Sequence, residues 1–450
     1  MRPFWNSRGK TALVLAGGGL TGAVYEIGAL RAIDDLLTDR TVNDFDLYVG
    51  TSAGALVGSL LANGITPEVM LQALAGDHPD IRAIERGDLF YIDPRDLLQL
   101  GAKLPKTVSG AWSHYLRYLK DMTLFDFIWS LSEALPSGIY DSQALGRYVR
   151  HAVTTYGGSD NFERLKRDLY VIATDLDTGH RAVFGRDCNS NVPLSLAVAA
   201  STAVPILYKP VRIADHDYID GSVRGNASLD VAIERGATLI ICINPLVPFD
   251  NGDRASIPFF GPDGGLLGDK GFTAVASQVT RIQTHAGLLY HIKQLRKTHP
   301  EVDIVLVEPD VKDHEMSFYN IMRYSTRLTV AQHGFETVTL KLAENYRYYA
   351  DLLSRHGIVL NQRLVDEELT QLKHSNYDPT VLRRILENSP APRKQRPASP
   401  PPAAPKVTDN SPAASFKQLN QTLAKLDEAL AKMSEAKPAP NKNGQKPATE

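Results

Sequence analysis

The apolar positions of the chain alternate between two periods from its first residues onward. Thr11–Ala16 is a short, nearly uninterrupted apolar run and predicts a buried strand. Gly17-Gly18-Gly19-Leu20-Thr21-Gly22 follows. Val24, Ile27, Leu30, Ile33, Leu36 and Leu37 then recur at helical spacing, which predicts a helix over Ala23–Leu37. Phe45–Val49 predicts a second strand, and Ala53–Ala62 a second helix ending near Gly64. A strand, helix, strand, helix alternation calls for a parallel sheet covered by helices, an α/β fold class. Leu169–Thr174 with Arg181–Phe184, Tyr218–Ile219, Leu239–Ile243 and Val302–Val307 extend the strand set. Phe272–Lys297 and Met322–Leu353 read as long helices.

Two stretches break this rhythm. Residues 76–140 are irregular and rich in aromatics, with Trp112 and Trp129 among them. Trp112, Tyr115, Leu116 and Leu119 fall on one helical face, which suits a helical core or a lid over a site. From Ser389 the character changes, with eight prolines between residues 390 and 412. That composition predicts an extended, disordered linker over 389–414. Phe416, Leu419, Leu423, Leu426, Leu430 and Met433 then alternate in steps of three and four. They form a heptad seam inside a short amphipathic helix, 415–436, that is marginal alone but able to self-associate or to dock on a partner helix. Residues 437–450 read as a disordered tail.

Charge sharpens this division. The chain of 450 residues carries a net charge of −2. Residues 391–450 hold ten Lys/Arg and five Asp/Glu, so the tail is +5 and the body −7. An acidic body argues against nucleic acid as a partner. The basic tail suits either a solvated segment or contact with an anionic membrane surface. The two cysteines, Cys188 and Cys242, form no framework or metal spacing and read as buried small residues in a reducing compartment. No apolar run reaches the length of a membrane span. The expectation is a cytoplasmic protein that visits membranes peripherally.

The candidate chemistry sits where strands give way to helices. Gly50-Thr51-Ser52-Ala53-Gly54 places a small nucleophile between glycines at a strand-to-helix turn, where its hydroxyl is pushed out at the end of the sheet. Small residues at a plain tight turn would give the same pattern. Gly17–Gly22 exposes backbone N–H groups at the positive end of a helix, as donors for a developing oxyanion must be. The same six residues fit G-x-G-x-x-G. A dinucleotide site would also need an acidic residue at the end of the second strand, and Asp44 and Asp46 stand at its beginning. Asp220-Gly221 is either a turn or a general base for a serine. A Ser-Asp-His triad is disfavoured by how early Ser52 stands and by histidines, His216 included, that no context distinguishes. Asp175 and Asp177 read as a turn rather than a metal pair.

The glycine loop after the first strand, the Gly50–Gly54 elbow after the second and the downstream Asp-Gly, in this order, resemble the patatin-like phospholipase family. Tyr140–Leu145, Val171–Gly179, Ala199–Pro210 and Tyr218–Pro245 also read as family-like, so the resemblance covers roughly residues 11–245. It implies a three-layer α/β/α catalytic domain, placed over 1–310; the chain's own pattern sets 76–140 as a lid-like or helical insertion in it and 311–388 as a helical extension packed on it. It implies hydrolysis of acyl esters of lipids without metal or other cofactor, through a dyad of Ser52 as nucleophile and Asp220 as base. Gly17, Gly18 and Gly19 would form the oxyanion hole, supported by Gly22, Gly50, Gly54 and Gly221. Two positions depart from the family pattern: Thr21 where Lys or Arg is frequent, and Ser222 where Gly or Ala is usual. Thr21 leaves phospholipid against neutral ester open. A binding or scaffolding module that acts through the tail is the alternative from another class.

Overall fold

The computed structural model describes residues 9–95, 136–252, 265–313 and 324–387. The first half runs β1 (Lys10–Leu15), α1 (Gly19–Leu36), β2 (Leu47–Thr51), α2 (Ala53–Ala62), α3 (Pro67–Ala75), α4 (Arg86–Leu89), β3 (Gly138–Tyr140) and α5 (Gln143–Thr155). Next come β4 (Asp168–Asp175), β5 (Arg181–Phe184), α6 (Leu194–Ser201), β6 (Ile206–Tyr208), β7 (Val211–Ile213), β8 (His216–Asp220), α7 (Leu229–Glu234) and β9 (Ala237–Ile243). The chain continues through α8 (Phe272–Thr298), β10 (Asp303–Val307), α9 (Tyr324–Glu344), α10 (Tyr346–Arg355), α11 (Gln362–His374) and α12 (Pro379–Glu387).

β10, β9, β1, β2 and β4 lie side by side in parallel, and β5, β8 and β7 complete the sheet in antiparallel pairings. Alternation along each strand divides the side chains between two faces. Leu13, Leu15 and Tyr48 join the core under α1, α2, α5 and α6. Ala12, Val14, Leu47 and Val49 join a second core with Leu229, Leu288 and Ile292 of α7 and α8. The result is three layers, α/β/α, with a mainly parallel sheet.

α1 is buried almost all round because α9 crosses its outer side. The crossing is close: a Cβ on Gly28 would meet Ala331 Cα at 2.8 Å, and one on Gly334 would meet the Ala29 nitrogen at 2.9 Å. Arg31 of α1, fully buried, ties the helical extension down. Its guanidinium pairs with Asp35, with Glu68 of α3 at 3.6 Å and with Glu368 of α11 at 3.9 Å. It also donates to the carbonyls of Ile385 (2.9 Å) and Leu386 (3.2 Å) in α12.

Several expectations shift. α1 begins at Gly19 rather than Ala23, so the second half of the glycine stretch is the first helical turn. β2 runs to Thr51, up to the elbow itself. The long helix expected over Met322–Leu353 breaks at Asn345. Cys242 is buried, whereas Cys188 is half-buried and accepts a hydrogen bond from Arg235 at 3.2 Å. Trp112 to Leu119 and the heptad seam 416–433 lie outside the described residues.

Candidate active site

The site follows from one difference in strand length. β2 pairs with β4 up to Thr51 opposite Ile172. β4 continues, and the next rung, Ala173, pairs with Asp220 of β8. β5 occupies the other edge of β4 over the same residues, so β8 enters on the edge that β2 has just left. Asp220 therefore stands where residue 52 would be if β2 went on. The chain instead turns sharply at Ser52 (φ 53°, ψ −115°) into α2. That backbone conformation costs a non-glycine residue about 1–3 kcal/mol and is a mark of functional turns.

The neighbouring glycines make the turn sterically feasible. A Cβ on Gly50 would meet Ala55 Cα at 2.6 Å, and one on Gly54 would meet Leu15 Cβ at the same distance. A Cβ on Gly221 would sit 2.9 Å from the Ile172 carbonyl carbon. Gly18 and Gly22 receive the Pro245 ring, at 2.5 and 2.9 Å from their added Cβ positions.

Ser52 Oγ donates to Asp220 Oδ2 at 2.6 Å. Both residues are buried, 4% and 1% exposed. The second carboxylate oxygen, Oδ1, accepts from Ser222 N (2.8 Å) and Ser222 Oγ (2.6 Å). Burial pushes the Asp220 carboxyl above its ordinary value of 3.8, and the donors Ser222 and Ser52 pull it partly back. A desolvated carboxylate with only neutral donors is a stronger base than one in water. Ser222, a departure at the level of motif, thus supplies a hydrogen bond that Gly or Ala lacks.

Two residues to which the sequence assigns no role, though both lie in family-like stretches, complete the support. Ser201, at the end of α6, accepts from Ser52 N at 2.9 Å and donates to Ile172 O at 2.5 Å, which fixes the elbow to β4. Asn226 accepts the Gly17 N–H on its backbone carbonyl at 3.1 Å. Its side-chain nitrogen donates to Asn244 Oδ1 at 2.7 Å, and Asn244 Nδ2 donates to Glu308 Oε1 at 2.8 Å. A carboxylate only accepts, so Glu308 sets the direction of both amides and turns Asn226 Oδ1 toward the glycine loop. That oxygen lies 2.7 Å from where a Gly17 Cβ would be.

Of the three predicted oxyanion glycines, Gly17 therefore has its N–H engaged by Asn226. Among the described residues, Gly18 and Gly19 N–H have no backbone acceptor. They open α1, where the first amides lack helical partners and the dipole is positive.

Elsewhere the sequence readings resolve locally. His216 pairs with Asp175 at 2.8 Å and stands four residues up β8 from Asp220, about 13 Å along a strand. Among the described residues no histidine hydrogen bonds to Ser52 or Asp220. Asp175 Oδ1 accepts from the N–H groups of Asp177 and Thr178, both at 3.0 Å, and so forms a turn. Among the described residues no cluster of His, Cys, Asp or Glu suits a metal ion.

Residues 13–233 match the family model described as patatin-like phospholipase. A protein of Invertebrate iridescent virus 6, named probable lipid hydrolase 463L, is 22% identical over 223 residues. The match takes in 49% of this chain and 63% of the viral protein, so the chain spans less than two thirds of that relative. Among solved structures, VipD from Legionella pneumophila is similar over 75% of this chain and 67% of its own, at 14% identity and a TM-score of 0.35. The type III effector ExoU of Pseudomonas aeruginosa is similar over 75% and 53%, at 14% identity and a TM-score of 0.29.

Proposed function

Residues 13–233 are a patatin-like phospholipase domain, and from that premise we propose that the protein is a serine acyl hydrolase of lipid esters. The reading rests on one observation above the rest. Ser52 Oγ, on a strained elbow, donates at 2.6 Å to a buried carboxylate, with no histidine between them.

As Oγ attacks the ester carbonyl, its proton passes to Asp220 Oδ2. Negative charge develops on the carbonyl oxygen and is met by the N–H groups of Gly18 and Gly19, with Gly17 held as the anchor of that loop. The tetrahedral species collapses, the C–O bond to the leaving alcohol breaks, and Asp220 returns the proton to that alcohol. The acyl group is then an ester of Ser52. Water, deprotonated by Asp220, attacks that ester; the bond to Ser52 Oγ breaks, Asp220 returns the proton to Oγ, and the carboxylic acid is released. A lipid substrate brings the protein to an interface, so peripheral membrane contact belongs to this reading.

Labelling the full chain with a fluorophosphonate tests it, alongside hydrolysis of a chromogenic acyl ester. Wild type is expected to label at Ser52 and to turn over. Ser52→Ala should do neither while keeping its far-ultraviolet circular dichroism. A folded wild type that neither labels nor hydrolyses would favour a non-catalytic binding module.

A further inference from the structure

α8 has three faces of different character. Ala274, Leu288, Ile292 and Leu295 are buried, as is Arg281, which donates to the Val247 carbonyl at 3.0 Å. Thr280, Thr284 and Gly287 line a cavity beside the turn that follows Asp220. The third face is apolar and looks outward. Phe272, Val275, Val279, Ile282, Ala286 and Leu289 recur in steps of three and four, with Tyr290 at the edge of the stripe, and all are exposed. Phe272 is 86% exposed, Tyr290 66% and Ile282 49%. From Phe272 to Tyr290 every exposed side chain is uncharged. A solvated helix face is polar or charged, whereas an apolar stripe with this spacing is the seam by which one helix packs on another.

The stripe reads the same from either end. Phe272 and Leu289, Val275 and Ala286, and Val279 and Ile282 share one midpoint, between Thr280 and Arg281. An identical helix laid antiparallel therefore sets Phe272 against Leu289, the small Ala286 against Val275, and Val279 against Ile282 in every layer of the seam. The seam runs about 26 Å along the helix. Just beyond it, Lys293 of one copy comes opposite the turn that carries Asp269 of the other, and both residues are exposed. Lys270, beside Asp269, is engaged within its own chain. A parallel pair in register would instead set Lys293 and Lys297 against their own counterparts. A helix lying on a bilayer carries Lys or Arg along the edges of its apolar face, and the edges here are Ala276 and Gln283 on one side and Gln278 and His285 on the other.

We propose that this stripe is the surface by which two copies of the chain associate, α8 against α8 in antiparallel across a two-fold axis. Each copy offers the same self-complementary patch, so the contact closes at a dimer. The inference is independent of the acyl-hydrolase reading, because no residue of the stripe belongs to the Ser52 site.

Sedimentation velocity of the full chain tests it. Wild type should sediment as a dimer at micromolar concentration. Val279→Glu buries an unpaired charge in each half of the seam and should weaken self-association by about a hundredfold, with the circular dichroism spectrum unchanged because residue 279 is exposed in the single chain. Ile282→Lys should do the same. An equal mixture of Val279→Glu and Ile282→Lys should recover the dimer, since residues 279 and 282 are mates across the axis. Orientation is read by oxidative cross-linking in a Cys188→Ser background. Phe272→Cys mixed with Leu289→Cys should link, and Phe272→Cys alone should not.

A wild type that stays monomeric, a dimer that Val279→Glu leaves intact, or Phe272→Cys linking to itself would overturn the proposal. So would a monomer that floats with phosphatidylglycerol vesicles and loses flotation in Val279→Glu, which would make the stripe a lipid contact.

Discussion

Asp220 and the carboxylates around Arg31 are both buried, but in opposite company. Asp220 has only neutral donors: one hydroxyl from Ser52, and a hydroxyl and an N–H from Ser222. Asp35, Glu68 and Glu368 instead surround a guanidinium that also caps two carbonyls of α12. Neutral donors leave a carboxylate able to take a proton and give it back. A buried guanidinium fixes its ionised partners in place, because separating the charges there is costly, and Glu368, whose carboxyl is pushed up, joins them by a hydrogen bond with Asp35. One arrangement suits a carboxylate that exchanges a proton at the end of the sheet, as proposed, and the other fastens the helical extension to α1.

The largest break in that comparison comes from Asp220→Asn. The amide keeps the shape and removes the base, so kcat/KM on a soluble ester should fall by about 10²–10⁴. The melting temperature should hold or rise, because a desolvated charge has gone. A loss under tenfold, with the fold intact, would mean that Asp220 is a structural turn residue.

Arg31→Ala should do the reverse. It leaves buried acids without their cation and carbonyls of α12 without a donor, at about 3–5 kcal/mol of unfolding free energy. The rate per folded molecule at low temperature should stay near wild type. Equal denaturation midpoints for variant and wild type would deny the cluster its fastening role.

The two regions should also answer pH with opposite slopes. Burial, with the nearby Asp35 carboxyl adding to it, pushes the Glu368 carboxyl up to about 9. An acid raised in the folded state holds its proton there while the unfolded chain releases it. Its contribution is therefore intact below the ordinary value of 4.5 and declines as pH rises toward about 9. Activity, by contrast, needs ionised Asp220 and should rise with pH through that group's elevated range. Glu368→Gln should flatten the stability profile, read by chemical denaturation from pH 5 to 9, and leave the activity profile alone.

How much of this was legible beforehand differs between the same two regions. The Ser52–Asp220 pair was legible as a candidate because its residues coincide with backbone signals: glycines that close turns, at the ends of periodic apolar runs. Ala53–Ala62 is bounded as its pattern predicts, and β1, β2, β4 and β9 lie within two or three residues of theirs. Ser201 and Asn226 lie in family-like stretches, but their roles were not legible, since an ordinary serine in an alanine-rich helix and an asparagine after a turn gain meaning only when the sheet brings them to residue 52. The Arg31 cluster was equally silent. Its charged members run from Arg31 to Glu368, 337 residues apart in the chain, and each alone looks like a solvated charge on an amphipathic helix. Helical period marks which face is apolar, but not that α9, α11 and α12 will cover the other face of α1.

Ser222 gives the finest test, because it adjusts the dyad without dismantling it. Its hydroxyl and N–H both donate to Asp220 Oδ1, and both favour the ionised carboxylate. Ser222→Ala removes the hydroxyl and leaves the N–H. The Asp220 pKa then rises, and the base form appears only at higher pH. The acid limb of kcat/KM on a soluble ester should therefore move upward by about one pH unit, near 1.4 kcal/mol of lost preference for the charged form. Above that limb the rate should match or slightly exceed wild type, since a more basic carboxylate takes the Ser52 proton more readily. Ser222→Thr keeps the hydroxyl and should restore the wild-type limb. A uniform fall in rate at every pH would mean that Ser222 shapes the turn, whereas a displaced limb with a preserved plateau would mean that it tunes the base.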